Sequence, residues 1–285
     1  MTSFRGWHRR IALGLPTVLG LRRRGFFIPY RRADTISDAG HRAPYAALEA
    51  LFASRHGVFA DWISVLDEFS SALVNIGGEP PPAPRWTQDW FPRLDAAMAY
   101  SMVRTLRPRR IVEVGSGHST RFFARAIADA GLDATITAID PAPRADLVGL
   151  KAVKLLRKPL QEVGAEPFAE LAAGDILAID SSHALMPGSD VDMLQNRILP
   201  ELPAGIIVQV HDIFLPDDYP AEWDWRGYNE QLGMATLLHE SSCWNVEFAS
   251  HYAVTRMADS VEVSAVGQLP LQPGAHETGL WIRKI

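Results

Sequence analysis

Short apolar segments that alternate with helical patterns constrain the fold of this chain more than any other feature of its sequence. Five such segments, each four to six residues long, follow one another from Ile111 onward. Their residues are apolar on both faces, as in parallel strands that helices cover on both sides. Strands that alternate with helices favour a doubly wound α/β sheet. The predicted strands span residues 111–114, 134–139, 153–156, 175–179 and 205–210, and predicted helices span 118–130, 167–172 and 190–199.

The segments on either side of this region complete the predicted architecture. Residues 246–249, 252–254 and 280–282 predict two or three further strands, antiparallel at one edge, so we predict seven strands in a mostly parallel, Rossmann-like sheet. Apolar residues recur at helical spacing over 43–76, and a Pro/Gly-rich linker follows at 77–84. We therefore predict an N-terminal arm and helical extension over residues 1–84 and a Rossmann-like domain over 85–285.

Charge and cysteine content narrow the classes of function. The net charge is −5, but residues 1–32 hold eight arginines and no acidic residue, which leaves 20 basic against 33 acidic residues in the rest of the chain. An acidic body argues against a nucleic-acid surface. The single cysteine, Cys243, allows no intrachain disulfide and favours a reducing cytoplasm. We expect Cys243 to be a small buried residue.

The arginine-rich arm contains an apolar run of 11 residues, 11–21, that Gly14, Pro16 and Gly20 interrupt. The run is too short to span a bilayer, and no signal-peptide cleavage site follows it. We expect an irregular arm that packs on the body or forms a homo-oligomer with a second copy. Weak binding to anionic lipid headgroups is the alternative.

Polar residues follow four of the predicted strands. Because ligands bind beyond the carboxyl ends of the strands in an open parallel sheet, these residues are expected to converge on one edge. They are Gly115 to Thr120 after the first strand, Asp140 after the second, Asp180 to His183 after the fourth, and His211 with Asp212 after the fifth.

The first of these segments indicates a ligand-binding turn. Gly115 permits a tight strand-to-helix turn, and Gly117 lets a ligand approach the backbone closely. Glu113 is a carboxylate in an otherwise apolar strand, where it needs a partner such as a ligand ammonium or loop amides. Asp140, 25 residues after Gly115, is placed to bind both hydroxyls of a ribose. A purely structural turn and a nicotinamide or flavin site remain alternatives.

The segment EVGSGHST together with Asp140 resembles class I S-adenosylmethionine-dependent methyltransferases. The resemblance implies that S-adenosylmethionine is the cofactor, with its methionine part facing Gly115 and Gly117 and its ribose bound by Asp140. The implied cofactor-binding residues are Glu113, Gly115, Ser116, Gly117, Ser119 and Asp140.

The acidic and histidine residues after the fourth and fifth strands are plausible ligands of a divalent metal, or they cap loops. The region also resembles metal-dependent O-methyltransferases of the catechol and macrolide-sugar types. That resemblance implies Asp180, His211 and Asp212 as metal ligands and His183, three residues after Asp180, as a general base. His211 stands where those families have an acid or amide, which favours Mn, Fe or Zn over Mg.

The function predicted from these residues is metal-assisted O-methylation of a small-molecule hydroxyl, of natural-product, sugar or phenol type. The longer pattern over residues 85–255 resembles an uncharacterised bacterial group of such enzymes. Three alternatives remain: a non-haem iron enzyme using Asp180, His183 and His211, a NAD-dependent oxidoreductase, and a binding protein that keeps only the fold. A long loop after the fifth strand is rich in aromatic residues and predicts a lid over the substrate; these residues are Phe214, Tyr219, Trp223, Trp225 and Tyr228. Aromatic residues before the sheet are expected to close the cofactor pocket from the other side, and they are Trp86, Trp90 and Phe91.

Overall fold

The computed structural model describes residues 4–239 and 242–285. Seven strands form one sheet in the order β3-β2-β1-β4-β5-β7-β6. β1 to β5 are parallel, and β7 runs antiparallel to both β5 and β6. This confirms the predicted Rossmann-like α/β class. The strands are β1 (Arg110–Val114), β2 (Thr135–Ile139), β3 (Val153–Leu156), β4 (Ile176–Ile179), β5 (Ile207–Val210), β6 (Trp244–Ala249) and β7 (Leu280–Lys284).

The order of the strands determines where a ligand can bind. The chain proceeds outward from β1 to β3 and then returns to add β4 beside β1. The strand order therefore reverses between β1 and β4, and a crevice opens beyond the carboxyl ends of strands at such a point. All four residues of β4 and of β5 are buried, because helices cover both faces of the sheet. The helices after the linker are α5 (Arg93–Leu106), α6 (His118–Asp129), α7 (Leu160–Val163), α8 (Asp190–Met193), α9 (Glu230–Leu238), α10 (Ser250–Arg256) and α11 (Ala258–Val263).

Two predicted elements differ from the structure. Residues 252–254, predicted as a strand, lie inside α10, because Tyr252 and Ala253 pack into the core on one helical face instead of pairing with the sheet. The helix predicted at 167–172 is reduced to a 3₁₀ turn at Glu166–Phe168. The carboxylate of Asp175 accepts hydrogen bonds from Ala172 N at 3.0 Å and Arg110 N at 2.8 Å, which turns the chain directly into β4.

The segment before the linker is helical, as predicted. It contains α2 (Ala46–Ser54), α3 (His56–Glu68) and α4 (Ser70–Val74). Phe59 of α3 is fully buried, and its ring centroid lies 5.6 Å from that of Phe248 in β6 and 5.8 Å from that of Tyr252 in α10. Aromatic pairs at this separation add to the stabilisation from burial. The helical segment therefore covers the antiparallel edge of the sheet.

The N-terminal arm is not irregular, as the sequence predicted, but begins with helix α1 (Phe4–Val18). Its arginine face contacts the body: Arg10 pairs with Asp224, and the guanidinium of Arg9 lies 5.3 Å from the ring centroid of Trp225. The apolar side chains of Ile11, Leu15 and Val18 are exposed. Pro16 lies in the last turn, and contact with the body holds the helix despite this residue. Over the described residues, no helix is both long enough and apolar enough to cross a membrane.

Cys243 is exposed, so the prediction of a buried cysteine was wrong. Side chains alternate between the two faces of a strand. Trp244, the first residue of β6, is buried, and Asn245 is exposed. Cys243 immediately precedes Trp244, and the same alternation turns its side chain outward.

Candidate active site

The turn after β1 lies against the end of β4, at the point where the order of the strands reverses. Gly115 has φ +81°, and a Cβ atom there would lie 1.8 Å from the carbonyl oxygen of Asp180. No other residue fits without moving the end of β4. At Gly117 the nearest atom to an added Cβ lies at 3.5 Å, in the side chain of Arg144. Position 115 therefore requires glycine because the backbone of Asp180 approaches it closely.

The buried carboxylate of Glu113 is hydrogen-bonded to side chains of the protein itself. Ser119 Oγ donates a hydrogen bond to its Oε1 at 2.6 Å, and Thr120 Oγ1 donates to its Oε2. Thr120 Oγ1 in turn accepts from Gly117 N at 2.9 Å. Burial raises the pKa of Glu113 to about 8, although the two hydroxyl hydrogen bonds act in the opposite direction. Glu113 therefore anchors the start of α6 to β1. Thr120, which was not among the predicted cofactor-binding residues, is part of this anchor.

Asp140 lies at the rim of a cleft beyond β1, β2 and β4. Its Oδ2 accepts hydrogen bonds from Ser116 N at 2.7 Å and Ser116 Oγ at 3.2 Å, and its Oδ1 accepts from Ala142 N at 2.7 Å. The cleft has a volume of about 290 Å³. Of the predicted cofactor-binding residues, Gly115, Ser116 and Asp140 line it, and Glu113 does not. Sequence reasoning missed Arg144 and Gln161, which also line it and lie in segments without a recognisable motif.

Gly117 and Ser119 line a narrow opening beside the cleft, together with Trp90 and Phe91. The ring of Trp90 stacks on His118 at a centroid distance of 5.6 Å and an interplanar angle of 5°. Burial, aided by nearby arginines, lowers the pKa of His118 to about 4, so the ring is neutral at pH 7. Trp90 and Phe91 thus lie beside the glycine turn, on the side expected from the sequence, whereas Trp86 packs on Phe122 in the core.

An acid–histidine cluster lies beyond the ends of β4 and β5. It consists of Asp180, His183, His211 and Asp212. His183 Nε2 lies 3.2 Å from Asp180 Oδ1 and 3.4 Å from Asp212 Oδ2. His211 Nδ1 lies 3.7 Å from Asp180 Oδ1 and 3.4 Å from Asp212 Oδ1. Asp180, His183 and Asp212 each offer one ligand atom within 4.8 Å of the others. Asp180 also lines the cleft that contains Asp140, so the two predicted sites are contiguous.

Two buried carboxylates orient the histidines from behind. Asp95 Oδ2, from α5, lies 3.0 Å from His211 Nε2, and Glu230 Oε2, at the start of α9, lies 2.8 Å from His183 Nδ1. Each is only 1% exposed. A histidine that binds a metal or moves a proton is commonly held by a carboxylate on its other nitrogen. Sequence reasoning missed both acids, because neither lies near a strand end or in a motif.

The acidic side chains around this cluster outnumber its imidazoles. Four carboxylates face two imidazoles. Burial disfavours protonation of His183, but hydrogen bonds from its ring to Asp180 and Glu230 raise its pKa well above the ordinary value. Burial likewise opposes a charge on His211, and the neighbouring Asp212 and Asp180 raise its pKa. Burial also favours protonation of Asp180, yet its hydrogen bond to His183 and the proximity of His211 hold its pKa below the ordinary range.

Backbone strain is concentrated at the same place. Within the described ranges, three residues other than glycine have positive φ, and two of them are His183 and Asp212, each at +57°. The left-handed conformation costs about 1–2 kcal/mol for such residues. Strain of this kind persists where the surrounding structure holds it and is common at functional sites. Hydrogen bonds from Asn229 N and Glu230 N to His183 O, at 3.0 and 3.2 Å, fix this turn.

A comparison with protein families identifies the domain. Residues 112–213, from β1 to just beyond β5, match a family model described as a methyltransferase domain. The match covers 102 of the 285 residues, and over this segment the chain is similar to methyltransferase domains. The match covers both the glycine turn and the acid–histidine cluster. The resemblance to class I S-adenosylmethionine-dependent methyltransferases is therefore confirmed, in agreement with the seven-stranded sheet.

Solved structures similar to this protein are distant in sequence. An SAH-bound methyltransferase of Podospora anserina is 17% identical, with a TM-score of 0.42, over 92% of this chain and 99% of that one. An O-methyltransferase of tomaymycin synthesis from Streptomyces achromogenes, solved with SAM, is 14% identical, with a TM-score of 0.39, over 79% and 89%. An O-methyltransferase of Bacillus cereus, solved with SAH, is 12% identical, with a TM-score of 0.38, over 84% and 99%. The comparison with curated proteins found no match.

The aromatic loop that was predicted as a lid packs largely on itself. Phe214 contacts Tyr219 and Trp223 with centroid distances of 5.6 and 5.1 Å. Tyr228 extends this aromatic packing to the acid–histidine cluster, where its ring centroid lies 4.5 Å from that of His183. The loop therefore forms a wall beside the acid–histidine cluster.

Proposed function

We propose that this methyltransferase transfers a methyl group from S-adenosylmethionine to a hydroxyl oxygen of a small molecule with the help of a divalent metal. The observation that carries the proposal is the acid–histidine cluster at the edge of the cleft. Asp180 belongs to both, so groups that activate a hydroxyl adjoin the space proposed for the methyl donor.

The cleft provides groups suited to S-adenosylmethionine. Asp140 and Ser116 would hold the ribose, and Gly115 offers backbone where a side chain cannot fit. When bound, the cofactor supplies an electrophilic methyl group on a sulfonium. Glu113 supports this surface from below, since its carboxylate is bound to the hydroxyls that fix the start of α6.

The donor atoms present fit a divalent metal. His211 Nδ1 is buried and has no hydrogen-bond partner among the described residues, although it points toward two carboxylates. We therefore assign Asp180, His211 and Asp212 as the ligands. A bound divalent ion lowers the pKa of a hydroxyl that it contacts. The imidazole ligand favours Mn, Fe or Zn.

We assign His183 as the base that accepts the proton of the acceptor hydroxyl, in the neutral form that a cation held by Asp180 and Asp212 would favour. Glu230 holds Nδ1 and thereby leaves Nε2 facing the cluster. A base positioned in this way contributes about 10²–10⁴-fold to a rate. Asp180 contacts Nε2 and keeps the ring oriented from the other side.

The test compares His183→Ala with Asp180→Ala in a radiolabelled methyl-transfer assay on a panel of phenols and sugars. Asp180→Ala is expected to lose metal and activity together. His183→Ala is expected to keep metal and S-adenosylhomocysteine binding and to lose about 10²–10⁴-fold in rate, with partial recovery at high pH. Loss of metal in His183→Ala would make His183 a ligand. A rate unaffected by a chelator would contradict the metal-assisted reaction.

The non-haem iron alternative keeps one supporting observation. His183 lies within ligand distance of Asp180 and Asp212, so with His211 the cluster offers two imidazoles to one ion. Oxygen consumption by the iron-loaded protein, with no methyl transfer to any acceptor, would favour it. The match to a methyltransferase domain supports methyl transfer over this reaction.

A further inference from the structure

A second cavity, larger than the cofactor cleft, lies between the N-terminal arm and the body. Its volume is about 530 Å³. The arm contributes α1 and residues 24–28, and the body contributes residues next to His183 and the aromatic loop at 224–229. Nothing in the methyl-transfer site described above uses this space.

The charge of the lining points to an anionic ligand. Four arginines and a single acidic residue, Asp224, line the cavity. Asp224 is ion-paired with Arg10, so three positive charges remain in excess. Arg226 lies on the body side, and its Nε is buried without a hydrogen-bond partner in the described part of the chain. The remaining arginines of the lining are Arg9 and Arg24. Guanidinium groups bind carboxylates and phosphates through paired hydrogen bonds.

The rest of the lining is apolar and aromatic. Phe26, Phe27 and Ile28 of the arm face the cavity and are 46%, 66% and 65% exposed. Trp225 and Met186 line it from the body. Apolar and aromatic walls with a few charged groups are typical of small-molecule sites. The lining therefore suits a ligand that carries an anionic group on an apolar ring.

The cavity shares a wall with the proposed catalytic residues. Ala184, which lines it, directly follows His183, and Asn229 N donates a hydrogen bond to His183 O at 3.0 Å. Tyr228 joins the two sites: Arg226 Nη1 donates to its hydroxyl at 3.1 Å, and its ring contacts that of His183. A molecule in the cavity would therefore lie next to the cluster that activates a hydroxyl.

We propose that this cavity binds the methyl acceptor and selects aromatic or similarly apolar hydroxyl compounds that carry an anionic group. The arginines of the arm and Arg226 would bind the anionic group, and the hydroxyl would face the end of the cavity lined by Ala184 and Asn229, which directly follow His183 and Tyr228 in the chain. The role as acceptor site rests on the proposed function, but anion binding does not, because it needs neither cofactor nor metal.

The test measures binding of benzoate, phenyl phosphate and benzenesulfonate to the full chain without cofactor or metal, with benzyl alcohol as the neutral control, by ligand-observed NMR. The three anions separate carboxylate from phosphate and sulfonate. At least one anion is expected to bind about tenfold more tightly than benzyl alcohol, and added salt is expected to weaken it. S-adenosylhomocysteine is expected to leave this binding unchanged; displacement would place the anion in the cofactor cleft and overturn the proposal.

Arg9→Gln and Arg226→Lys are expected to weaken binding of that anion about tenfold, the factor for one charge-assisted hydrogen bond. Arg110→Gln is the matched control, because it also removes a partly exposed arginine but lies at the far end of β1 from the glycine turn, paired with Glu170. Arg9 is exposed, so its replacement leaves the fold intact, and thermal unfolding verifies this. Equal binding of benzyl alcohol, or unchanged binding in Arg9→Gln, would overturn the proposal. Anion binding without methyl transfer would instead refute the proposed function alone.

Discussion

The Nε2 atom of His211 lies 3.0 Å from Oδ2 of Asp95, and this contact decides which nitrogen of the ring faces Asp180. Asp95 also accepts hydrogen bonds from Thr278 N at 2.9 Å and Gly279 N at 2.8 Å. The backbone of the segment before β7 thus fixes the carboxylate, and the carboxylate fixes the ring. A neutral His211 held in this way carries its proton on Nε2 and presents an unprotonated Nδ1 to the cluster.

Asp95→Asn is therefore expected to weaken metal binding although Asp95 is not a proposed ligand. Loss of such an orienting carboxylate commonly costs 10–100-fold in metal affinity. Titration with Mn²⁺ followed by electron paramagnetic resonance measures it. Asp175→Asn is the control, because Asp175 is also buried and accepts three backbone hydrogen bonds, but at the opposite end of the sheet. Equal weakening in both variants would make the effect one of general stability.

Asp140→Ala is expected to weaken binding of S-adenosylhomocysteine by about 1–3 kcal/mol, since it removes a charged acceptor and leaves its partners unpaired. Isothermal titration calorimetry measures this, and NAD is expected not to bind. Asp133→Ala, at an exposed position before β2, is expected to bind S-adenosylhomocysteine like the wild type. Binding of NAD, with no response to S-adenosylhomocysteine, would favour an oxidoreductase.

Glu113 is expected to make stability fall as pH rises. Its pKa is raised to about 8 in the folded protein, against about 4.3 in an unfolded chain. Between these values the folded state holds a proton that the unfolded state has lost, so the free energy of unfolding decreases with pH, by at most about 1.4 kcal/mol per unit. Urea unfolding from pH 5 to 8 tests this. Glu113→Gln is expected to show a shallower decrease; identical slopes would mean that Glu113 is already ionised.

The sequence predicted the sheet and the residues at its strand ends because both depend on local pattern. Apolar segments determine the strands, and parallel strands bring their carboxyl ends together, so Asp140, Asp180 and His211 were found without coordinates. Asp95 and Glu230 were not found, because Asp95 reaches His211 across 116 positions and Glu230 reaches His183 across 47. Only tertiary packing brings these acids to the histidines.

In the N-terminal arm, by contrast, the local sequence pattern gave a wrong prediction. Gly14, Pro16 and Gly20 predicted an irregular segment, yet α1 continues to Val18. Contacts of its arginine face with the body, such as Arg10 with Asp224, outweigh the low helix propensity of glycine and proline. No local pattern in the sequence shows that an arginine of the arm pairs with an acidic residue in a distant loop. The cavity between the arm and this loop was therefore also not predicted.

Gly115→Ala is expected to disrupt the site by breaking the contact between β1 and β4. A methyl group at this position would overlap the carbonyl oxygen of Asp180, and alanine is disfavoured at φ +81° by about 1–2 kcal/mol. The end of β4 must move to relieve the overlap, and Asp180 moves with it. Thermal unfolding is therefore expected to show a stability loss of more than about 2 kcal/mol, and both Mn²⁺ and S-adenosylhomocysteine are expected to bind more weakly. Gly57→Ala in α3 is the control, because an added methyl group there meets nothing within 4 Å, and alanine favours the helix by up to about 1 kcal/mol. If Gly115→Ala unfolded like Gly57→Ala and still bound both ligands, the glycine turn would not position Asp180, and the proposed link between the cofactor cleft and the metal ligands would be wrong.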